Sequence, residues 1–389
     1  MRGIFGLVAE AGTGGSEENA GAPARRRRPR WVRICLIAGV LLTLLGGGAA
    51  LGAHALVGRY ENTVVEADLF GEEAAGSPTP TSDIRGPLNL LLVGIDPRAG
   101  QVNEPPRSDS IMILHVERSL DRAYLFSIPR DLVVDIPAFA KAGFRGRHGK
   151  INGAMAYGSQ VPGQAEPDPA RGFELLSKTI GAYTGIKRFD AGAIIDFGGF
   201  QRIVDAMGGV DLYIDTDVKS EHRQPDGSLR TLRPGGGGYT GPQATYRKGS
   251  AHLKGWQALD YVRQRYGLPH GDYDRQRHQQ QFVRAMVAQA FGRDVLSNPL
   301  KLDAVLRAAG ESLIFNGRGN DVAEWALALR DLRASSIEMI RLPGEAIGQG
   351  SGYRGERLLP VAKDFFASVR ADRVGEFLAE HPDLRNKDR

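Results

Sequence analysis

The pattern of apolar and polar residues predicts alternating strands and helices from residue 88 onward. Short apolar runs closed by glycine or proline are typical of buried strands, and apolar residues three and four positions apart indicate helices. The predicted strands are Leu88–Val93, Ile111–Val116, Ala123–Ile128, Ala193–Ile195, Val210–Ile214 and Ile337–Leu342. The predicted helices are Phe173–Tyr183, Phe200–Met207, Trp256–Tyr261, Arg275–Phe291, Leu300–Ala309, Val322–Leu332 and Leu358–Val369. This alternation predicts an α/β fold with a central mixed β-sheet covered by helices on both faces.

Two stretches lack such periodicity. Residues Gly71–Pro80 contain two acids followed only by small residues, proline and threonine, a composition typical of a linker. Residues Arg223–Gly249 are rich in glycine and proline and include the run Gly235–Gly238, so we expect a long mobile loop there.

The N-terminal part of the chain predicts a single membrane anchor. Residues Ile34–Ala53 carry no formal charge and are numerous enough to cross a bilayer as a helix. Six arginines precede this run between residues 25 and 33. Because basic flanks stay in the cytoplasm, we expect a single-pass protein of the cell membrane with its N-terminus inside. A cleaved signal peptide is the alternative, since Ala53-His54-Ala55 has the small residues of a cleavage site.

Charge and cysteine content exclude some classes of function and of covalent structure. The 389 residues carry a net charge of only +5, and the first 33 residues supply much of it. The run Arg25–Arg28 could bind nucleic acid, but beside a membrane span it is better explained by topology and anionic lipid contact. We therefore expect no nucleic-acid partner. The single cysteine, Cys35, lies in the apolar run, so an internal disulfide is impossible.

Two carboxylates at predicted strand ends are candidates for metal binding. Asp96 follows the apolar run Leu88–Val93 and Gly94, and Asp109 precedes the strand that begins near Ile111. Ligand sites of open α/β sheets gather at such strand ends, and two carboxylates with phosphate oxygens can hold Mg²⁺. Either residue taken alone could instead be an ordinary turn or cap residue.

Arginines near these acids suggest a phosphate ligand. Arg107 precedes Asp109, and Arg130 follows a proline that ends the strand Ala123–Ile128. Guanidinium groups bind phosphate oxygens through a planar fork, so a cluster of them suits a diphosphate. A single arginine of this kind could equally form a surface ion pair.

A second group of polar residues lies farther along the chain. Arg263 and Arg265 would point to one side if the backbone is extended there. Arg275 and Gln279 are four residues apart and would share one face of a helix. The N-terminus of that helix would also favour an anion, although a solvated basic helix face is the simpler alternative.

In this order, the motifs of residues 88–286 resemble the LytR-CpsA-Psr family of bacterial cell-wall enzymes. Each motif alone is weak, but their shared order behind a predicted anchor is specific. The matching segments are Asn89–Asp96, Arg107–Ser110, Ser127–Asp131, Lys150–Asn152, Asp196–Phe200, Val204–Val210, Leu253–Gly255, Ala258–Arg265 and Gly271–Asp272 followed by Arg275 and Gln279.

The resemblance implies an α-β-α fold and an extracellular phosphotransferase. Such enzymes move a glycopolymer from a polyprenyl-pyrophosphate lipid to a peptidoglycan sugar hydroxyl, forming a phosphodiester. By matching positions, Asp96 and Asp109 would hold Mg²⁺ or Mn²⁺, and both would be catalytic together with Arg130. The lipid tail would fill an apolar pocket between sheet and helices. The residues implied to bind the pyrophosphate are Arg107, Arg130, Arg263, Arg265, Arg275 and Gln279.

The chain is thus expected to contain four segments. They are a disordered basic cytoplasmic tail at 1–33, a transmembrane anchor at 34–57, a linker at 58–86 and an extracellular catalytic domain at 87–389. The expected partners are the lipid-linked glycan, peptidoglycan and the membrane. The identity of the glycopolymer stays open among teichoic acid, capsule and arabinogalactan.

Three features depart from the family pattern. His278 stands where the family often has another arginine, the segment Ala138–Gly149 is lengthened, and the loop Arg223–Gly249 is long. Other functions also stay open. A pyrophosphatase would use the same site with water as acceptor, and a non-catalytic lipid or polymer carrier would need no acid pair. A DNA-binding regulator is disfavoured because the short cytoplasmic arm contains no helix-turn-helix.

Overall fold

The computed structural model of the chain describes residues 65–71, 84–96, 103–235, 238–290, 292, 295 and 298–386. The predicted tail at 1–33 and the predicted anchor at 34–57 lie outside these residues. Within the described ranges, no helix combines the length and apolar character needed to cross a membrane.

The strands of the described residues are β1 (Val65–Glu66), β2 (Leu88–Ile95), β3 (Ser108–Val116), β4 (Ala123–Ser127), β5 (Val133–Ile136), β6 (Arg147–Lys150), β7 (Ala191–Asp196), β8 (Val210–Ile214), β9 (Val218–Lys219), β10 (Thr231–Leu232), β11 (Tyr239–Thr240), β12 (Thr245–Tyr246), β13 (Gly249–Leu253), β14 (Leu313–Asn316), β15 (Ile337–Ile340), β16 (Gly344–Ile347) and β17 (Gly355–Leu358). Seven of them form the central sheet, in the order β1-β14-β7-β2-β3-β4-β15. Strand β2 is antiparallel to β3 and parallel to β7, so the sheet is mixed as predicted. The remaining strands form five antiparallel pairs, β5-β6, β8-β13, β9-β12, β10-β11 and β16-β17.

Of the nine helices in the described residues, all but Asn152–Gly158 and Val374–Glu380 were predicted, with ends within four residues of the predicted limits. The nine are α1 (Asn152–Gly158), α2 (Pro169–Thr184), α3 (Phe197–Ala206), α4 (Gly255–Arg263), α5 (Asp272–Ala290), α6 (Pro299–Gly310), α7 (Val322–Ala328), α8 (Pro360–Arg370) and α9 (Val374–Glu380), with short 3₁₀ turns at Ala140–Ala142, Ala334–Ser336, Gly350–Gly352 and Pro382–Leu384. Local capping explains why α2 is longer than predicted. The Asp168 side chain accepts hydrogen bonds from the Ala170 and Arg171 amides, and Gly185 ends the helix at a φ of 73°.

Helices pack on both faces of the sheet. The side chains of β2 point alternately to the two faces, so consecutive residues of this strand contact helices on opposite sides. Leu91 belongs to a buried cluster with Phe173 of α2 and Phe365 of α8. Leu92, on the opposite face, packs into a cluster with Trp325 of α7. Each fully buried aromatic or aliphatic side chain contributes about 1.5–3 kcal/mol. The predicted central sheet with helices on both faces is confirmed.

Part of the stretch predicted as a linker at 58–86 belongs to the folded domain. Val65–Glu66 pairs in parallel with β14 at the sheet edge. Leu69 is fully buried and Phe70 is 4% exposed, with the Phe70 ring edge-on to Phe173 at 5.7 Å. The run is too short and too mixed to show periodicity, so only the long-range pairing reveals it.

The predicted loop Arg223–Gly249 contains regular structure. Strands β10 and β11 pair with each other in this stretch, and β12 pairs with β9. Arg230 is 9% exposed and donates to the backbone carbonyls of Glu221, Tyr239 and Gly241. A guanidinium that binds three carbonyls holds this glycine-rich segment together.

Candidate active site

The two carboxylates singled out from the sequence lie at neighbouring positions of β2 and β3. Asp96 directly follows β2. The pairing of β2 with β3 shifts at this end, where Gly94 lies opposite Ser110 and Ile95 opposite Ser108. Asp109 is therefore the extra residue of a β-bulge, a feature that redirects a side chain at the end of a strand.

Each carboxylate is paired with an arginine from a distant part of the chain. Arg130 Nη1 donates to Asp109 Oδ1 at 2.6 Å, and Arg263 Nη2 donates to Asp96 Oδ2 at 3.1 Å. The Arg263 guanidinium also lies 4.3 Å from the centre of the Phe197 ring. Arg263 is the last residue of helix α4, so the backbone is helical rather than extended at this position. Helix α4 ends two residues beyond Tyr261, the predicted limit.

A third carboxylate, which sequence reasoning did not assign, belongs to the same cluster. Asp272 begins helix α5, and its Oδ1 lies 2.7 Å from Arg275 Nη2 and 3.8 Å from Arg130 Nε. Burial alone would lower the pKa of Arg130, but Asp109 and Asp272 outweigh burial and raise it. The signal for Asp272 was its position three residues before Arg275, which places both on one helix face.

Two buried guanidinium N–H groups at this cluster have no acceptor. Arg130 Nε and Arg275 Nε are both inaccessible to solvent and form no hydrogen bond. Arg275 is 6% exposed, and burial lowers its pKa even though Asp272 favours its charge. A buried donor without an acceptor costs about 1–3 kcal/mol. Such groups therefore point to a ligand that supplies oxygen acceptors.

The other predicted residues take different positions around the acids. Ser110 Oγ donates to Gln279 Oε1 at 3.0 Å, while Gln279 Nε2 donates to the Val262 carbonyl at 3.3 Å. Arg265 lies against the Tyr266 ring at 4.8 Å, and Arg107 is exposed. The structure thus brings all the sequence-predicted residues to one region, where they line two adjoining cavities.

The two cavities share four residues and differ in their remaining walls. The shared residues are Asp96, Asp109, Arg130 and Arg265. The first, which we call the helix-side cavity because residues of α4 and α5 line it, has a volume of about 720 Å³. Its wall is completed by Phe197, Tyr239, Arg263, Arg275 and Gln279 among others. The second, which we call the hairpin-side cavity because Tyr353 of the β16-β17 connection lines it, has a volume of about 630 Å³. Its wall is completed by Arg107, Asp131, Lys150, Asn152 and Tyr353 among others. The hairpin-side cavity is lined mainly by polar groups and the helix-side cavity by polar and apolar groups in similar measure, so neither is the apolar pocket expected for a lipid tail.

His278, at the position noted as a departure, lines neither cavity. It is fully buried, its ring stacks on Tyr261 at 4.7 Å, and its Nε2 lies 3.5 Å from Asp215 Oδ1. Burial alone would raise the pKa of Asp215, but His278 and Arg277 outweigh it and lower that pKa. We assign His278 a packing role.

The acid pair suits a hard divalent cation. Among the described residues, no group of three or more His, Cys, Asp or Glu side chains could hold a metal ion on its own. Mg²⁺ is usually held by only one or two carboxylates, together with water and substrate phosphates. Asp96 and Asp109 line the same two cavities and offer this donor set beside the arginines.

Comparison with known proteins identifies the family. A model of the LytR_cpsA_psr family matches residues 60–364. The chain belongs to this family. The match begins before β1, which agrees with the contribution of Val65–Glu66 to the sheet.

Two named relatives and one solved structure are similar to this LytR_cpsA_psr member. Over 313 residues it is 28% identical to the cell wall biosynthesis protein LcpA of Corynebacterium glutamicum, covering 75% of this chain and 56% of LcpA. Over 252 residues it is 28% identical to the polyisoprenyl-teichoic acid–peptidoglycan teichoic acid transferase TagU of Bacillus cereus, covering 64% of this chain and 68% of TagU. The crystal structure of B. subtilis TagV aligns at 22% identity with a TM-score of 0.53, over 76% of this chain and 99% of TagV. The TagV alignment supports the fold described above.

Proposed function

We propose that this protein transfers a glycopolymer from a polyprenyl-pyrophosphate lipid to a sugar hydroxyl of peptidoglycan. The observation that carries the proposal is the pair of buried, unpaired Nε–H groups of Arg130 and Arg275 beside Asp96 and Asp109. A diphosphate offers several anionic oxygens in a row, which matches adjacent guanidinium groups. The name of TagU, a related transferase, supports the choice of donor and acceptor.

The arginines would bind the diphosphate by exchanging partners. Arg263 and Arg130 now hold Asp96 and Asp109, and Arg275 holds Asp272. Phosphate oxygens can replace these carboxylates as acceptors and also reach the free Nε–H groups. The charge-assisted hydrogen bonds that form are about twice as strong as neutral ones. Arg107, Arg265 and Gln279 line the same cavities and would complete the binding site.

Asp96 and Asp109 would hold Mg²⁺ once their arginines turn to the substrate, and this cation would neutralise charge on the diphosphate oxygens. The reaction joins the acceptor hydroxyl oxygen to the phosphorus that carries the glycan. The bond from that phosphorus to the bridging oxygen breaks, and polyprenyl phosphate leaves with the electron pair. The acceptor hydroxyl loses its proton, which passes to the departing polyprenyl phosphate and balances the negative charge gained there. Arg130 and Arg275 would stabilise this developing charge.

The proposal places the domain outside the membrane, attached through residues 34–57. The basic residues before that run would stay in the cytoplasm. A lipid-linked donor and a wall acceptor meet only at the outer membrane face, so this placement gives the site access to both substrates.

The test is a transfer assay with the full-length chain in detergent. It contains a short polyprenyl-pyrophosphate glycan, peptidoglycan fragments and Mg²⁺, and mass spectrometry follows the products. We expect glycan joined to peptidoglycan, and we expect EDTA to abolish the joining. Release of glycan phosphate without joining would instead indicate a pyrophosphatase. Tight lipid binding without any reaction would indicate a carrier.

A further inference from the structure

The hairpin-side cavity contains residues that a diphosphate site does not require. Beyond the shared acids and arginines, its wall includes Asp131, Lys150, Asn152 and Tyr353. Tyr353 lies in the connection between β16 and β17, a part of the chain that the family resemblance of the sequence did not reach.

We propose that the hairpin-side cavity binds a sugar ring of the acceptor glycan and presents its hydroxyl to the diphosphate. This inference rests on the transferase function proposed above. Its ligand class is an uncharged hexose ring with hydroxyl and acetamido groups, as found in a peptidoglycan strand.

The first support is an unsatisfied acceptor in the cavity wall. Asn152 is 5% exposed, and its Oδ1 has no hydrogen-bond donor. A buried carbonyl oxygen without a donor is costly, and sugar hydroxyl or amide N–H groups are suitable donors. A phosphate oxygen is not, because it is itself an acceptor. Asn152 thus favours a sugar over an extension of the diphosphate site.

The second support is a tyrosine fixed in position at the cavity mouth. The Tyr353 hydroxyl shares its proton between Glu356 Oε1 at 3.0 Å and Asp131 Oδ2 at 3.2 Å. Lys150 Nζ is 3.3 Å from Asp131 Oδ1 and 4.7 Å from the centre of the Tyr353 ring. Burial, followed by the charge of Asp131, raises the pKa of Tyr353 and keeps the hydroxyl protonated. A ring that is held in place and yet 37% exposed offers an apolar face at low entropic cost.

The third support is the position of this cavity relative to the reaction. In phosphoryl transfer, the attacking and leaving oxygens lie roughly in line across the phosphorus. Because Asp96, Asp109, Arg130 and Arg265 line both cavities, a diphosphate bound to them is accessible from either one. The leaving polyprenyl phosphate would occupy the helix-side cavity, near Arg275. The attacking hydroxyl must then enter from the hairpin side.

The first experiment measures binding without any donor lipid. The full-length chain in detergent is titrated with a peptidoglycan disaccharide whose lactyl carboxylate is capped as an amide, so that the probe is uncharged, and binding is followed by calorimetry. We expect Tyr353→Ala to weaken binding about tenfold, because the stacking surface is lost. Tyr353→Phe should retain most of the affinity. Tyr213→Ala, which removes a partly exposed tyrosine of β8 that lines neither cavity, is the matched control and should bind the disaccharide like the wild type.

Kinetics then distinguish an acceptor sugar from the glycan of the donor. In the transfer assay, we expect Tyr353→Ala to raise the KM for peptidoglycan fragments about tenfold without changing the KM for the lipid donor. A raised donor KM with an unchanged acceptor KM would overturn the proposal, since the cavity would then hold the donor glycan. Equal disaccharide binding by the wild type and Tyr353→Ala would also overturn it. The binding result stays interpretable even if the transfer assay refutes the transferase.

Discussion

Arg130 and Asp109 are joined by a hydrogen bond of 2.6 Å between Nη1 and Oδ1, across 21 residues of sequence. The bulge in β3 sets the position of Asp109, and the proline before Arg130 ends the strand next to it. In the proposed reaction this pair would separate, so that Asp109 could hold Mg²⁺ and Arg130 could bind the diphosphate. The arginines and carboxylates of this site thus neutralise one another's charge.

Removal of either partner should therefore affect catalysis far more than folding. We expect Asp109→Ala and Arg130→Ala each to lower the transfer rate at least about a hundredfold, as loss of a charged group at a transition state does. Both side chains are partly exposed, so Tm should fall by only about 2–4 °C. Transfer assays and thermal unfolding of both variants check this. Normal activity in both would contradict the assignment of the site.

Asp272 should act as a positioning residue for the two buried arginines. Asp272→Asn removes the charge that holds Arg275 and Arg130, so we expect kcat to fall about tenfold or more and Asp272→Glu to recover part of it. Asp303→Asn is the matched control, because Asp303 also forms an ion pair within its own helix, with its Oδ2 2.8 Å from Arg307 Nη2. Equal kcat in the wild type and Asp272→Asn would show that Asp272 serves only the helix terminus.

Gly192 in β7 should not accept a side chain. A Cβ at this position would lie 2.7 Å from Phe173 Cζ and 3.0 Å from Phe70 Cζ, both in the buried core. We expect Gly192→Ala to lower the free energy of unfolding by about 1–3 kcal/mol. Gly149→Ala, whose Cβ would meet only Arg147 Nε at 3.6 Å, is the comparison and should change stability by less than about 0.5 kcal/mol. Urea unfolding of both variants decides, and equal stabilities would contradict the packing described here.

His115 should make stability depend on pH in the mildly acidic range. It is 1% exposed, 2.9 Å from Asn89 Oδ1 and 3.3 Å from Asp372 Oδ1. Burial lowers its pKa below the ordinary value of 6.5, although Asp372, Glu117 and Asp190 oppose this. The folded state thus binds a proton less tightly than the unfolded chain. Stability should be full above 6.5 and decline as pH falls toward the lowered pKa.

Urea unfolding of the wild type and His115→Gln between about pH 5 and 7.5 measures this dependence. The wild type should lose up to about 1.4 kcal/mol per pH unit in the sensitive range, and the variant should show a flatter profile. Parallel profiles would mean that His115 does not contribute to the pH dependence.

Local sequence pattern was sufficient for five strands of the central sheet, for seven of the described helices and for part of the site. The apolar run before Gly94 predicted a buried strand that ends near Asp96, and the structure has β2 at Leu88–Ile95. Spacing by four placed Arg275 and Gln279 on one helix face, and both line the helix-side cavity. These inferences succeed because strand alternation and helical periodicity are set by the backbone of neighbouring residues.

The sequence by itself determined the order of the main strands and helices and the residue types that line the proposed diphosphate site. Only the tertiary structure decided that Asp272 joins Arg130, that Tyr353 borders the acid pair, and that Phe70 lies in the core. These contacts link segments far apart in the chain. They depend on strand register and helix packing, which no local pattern specifies.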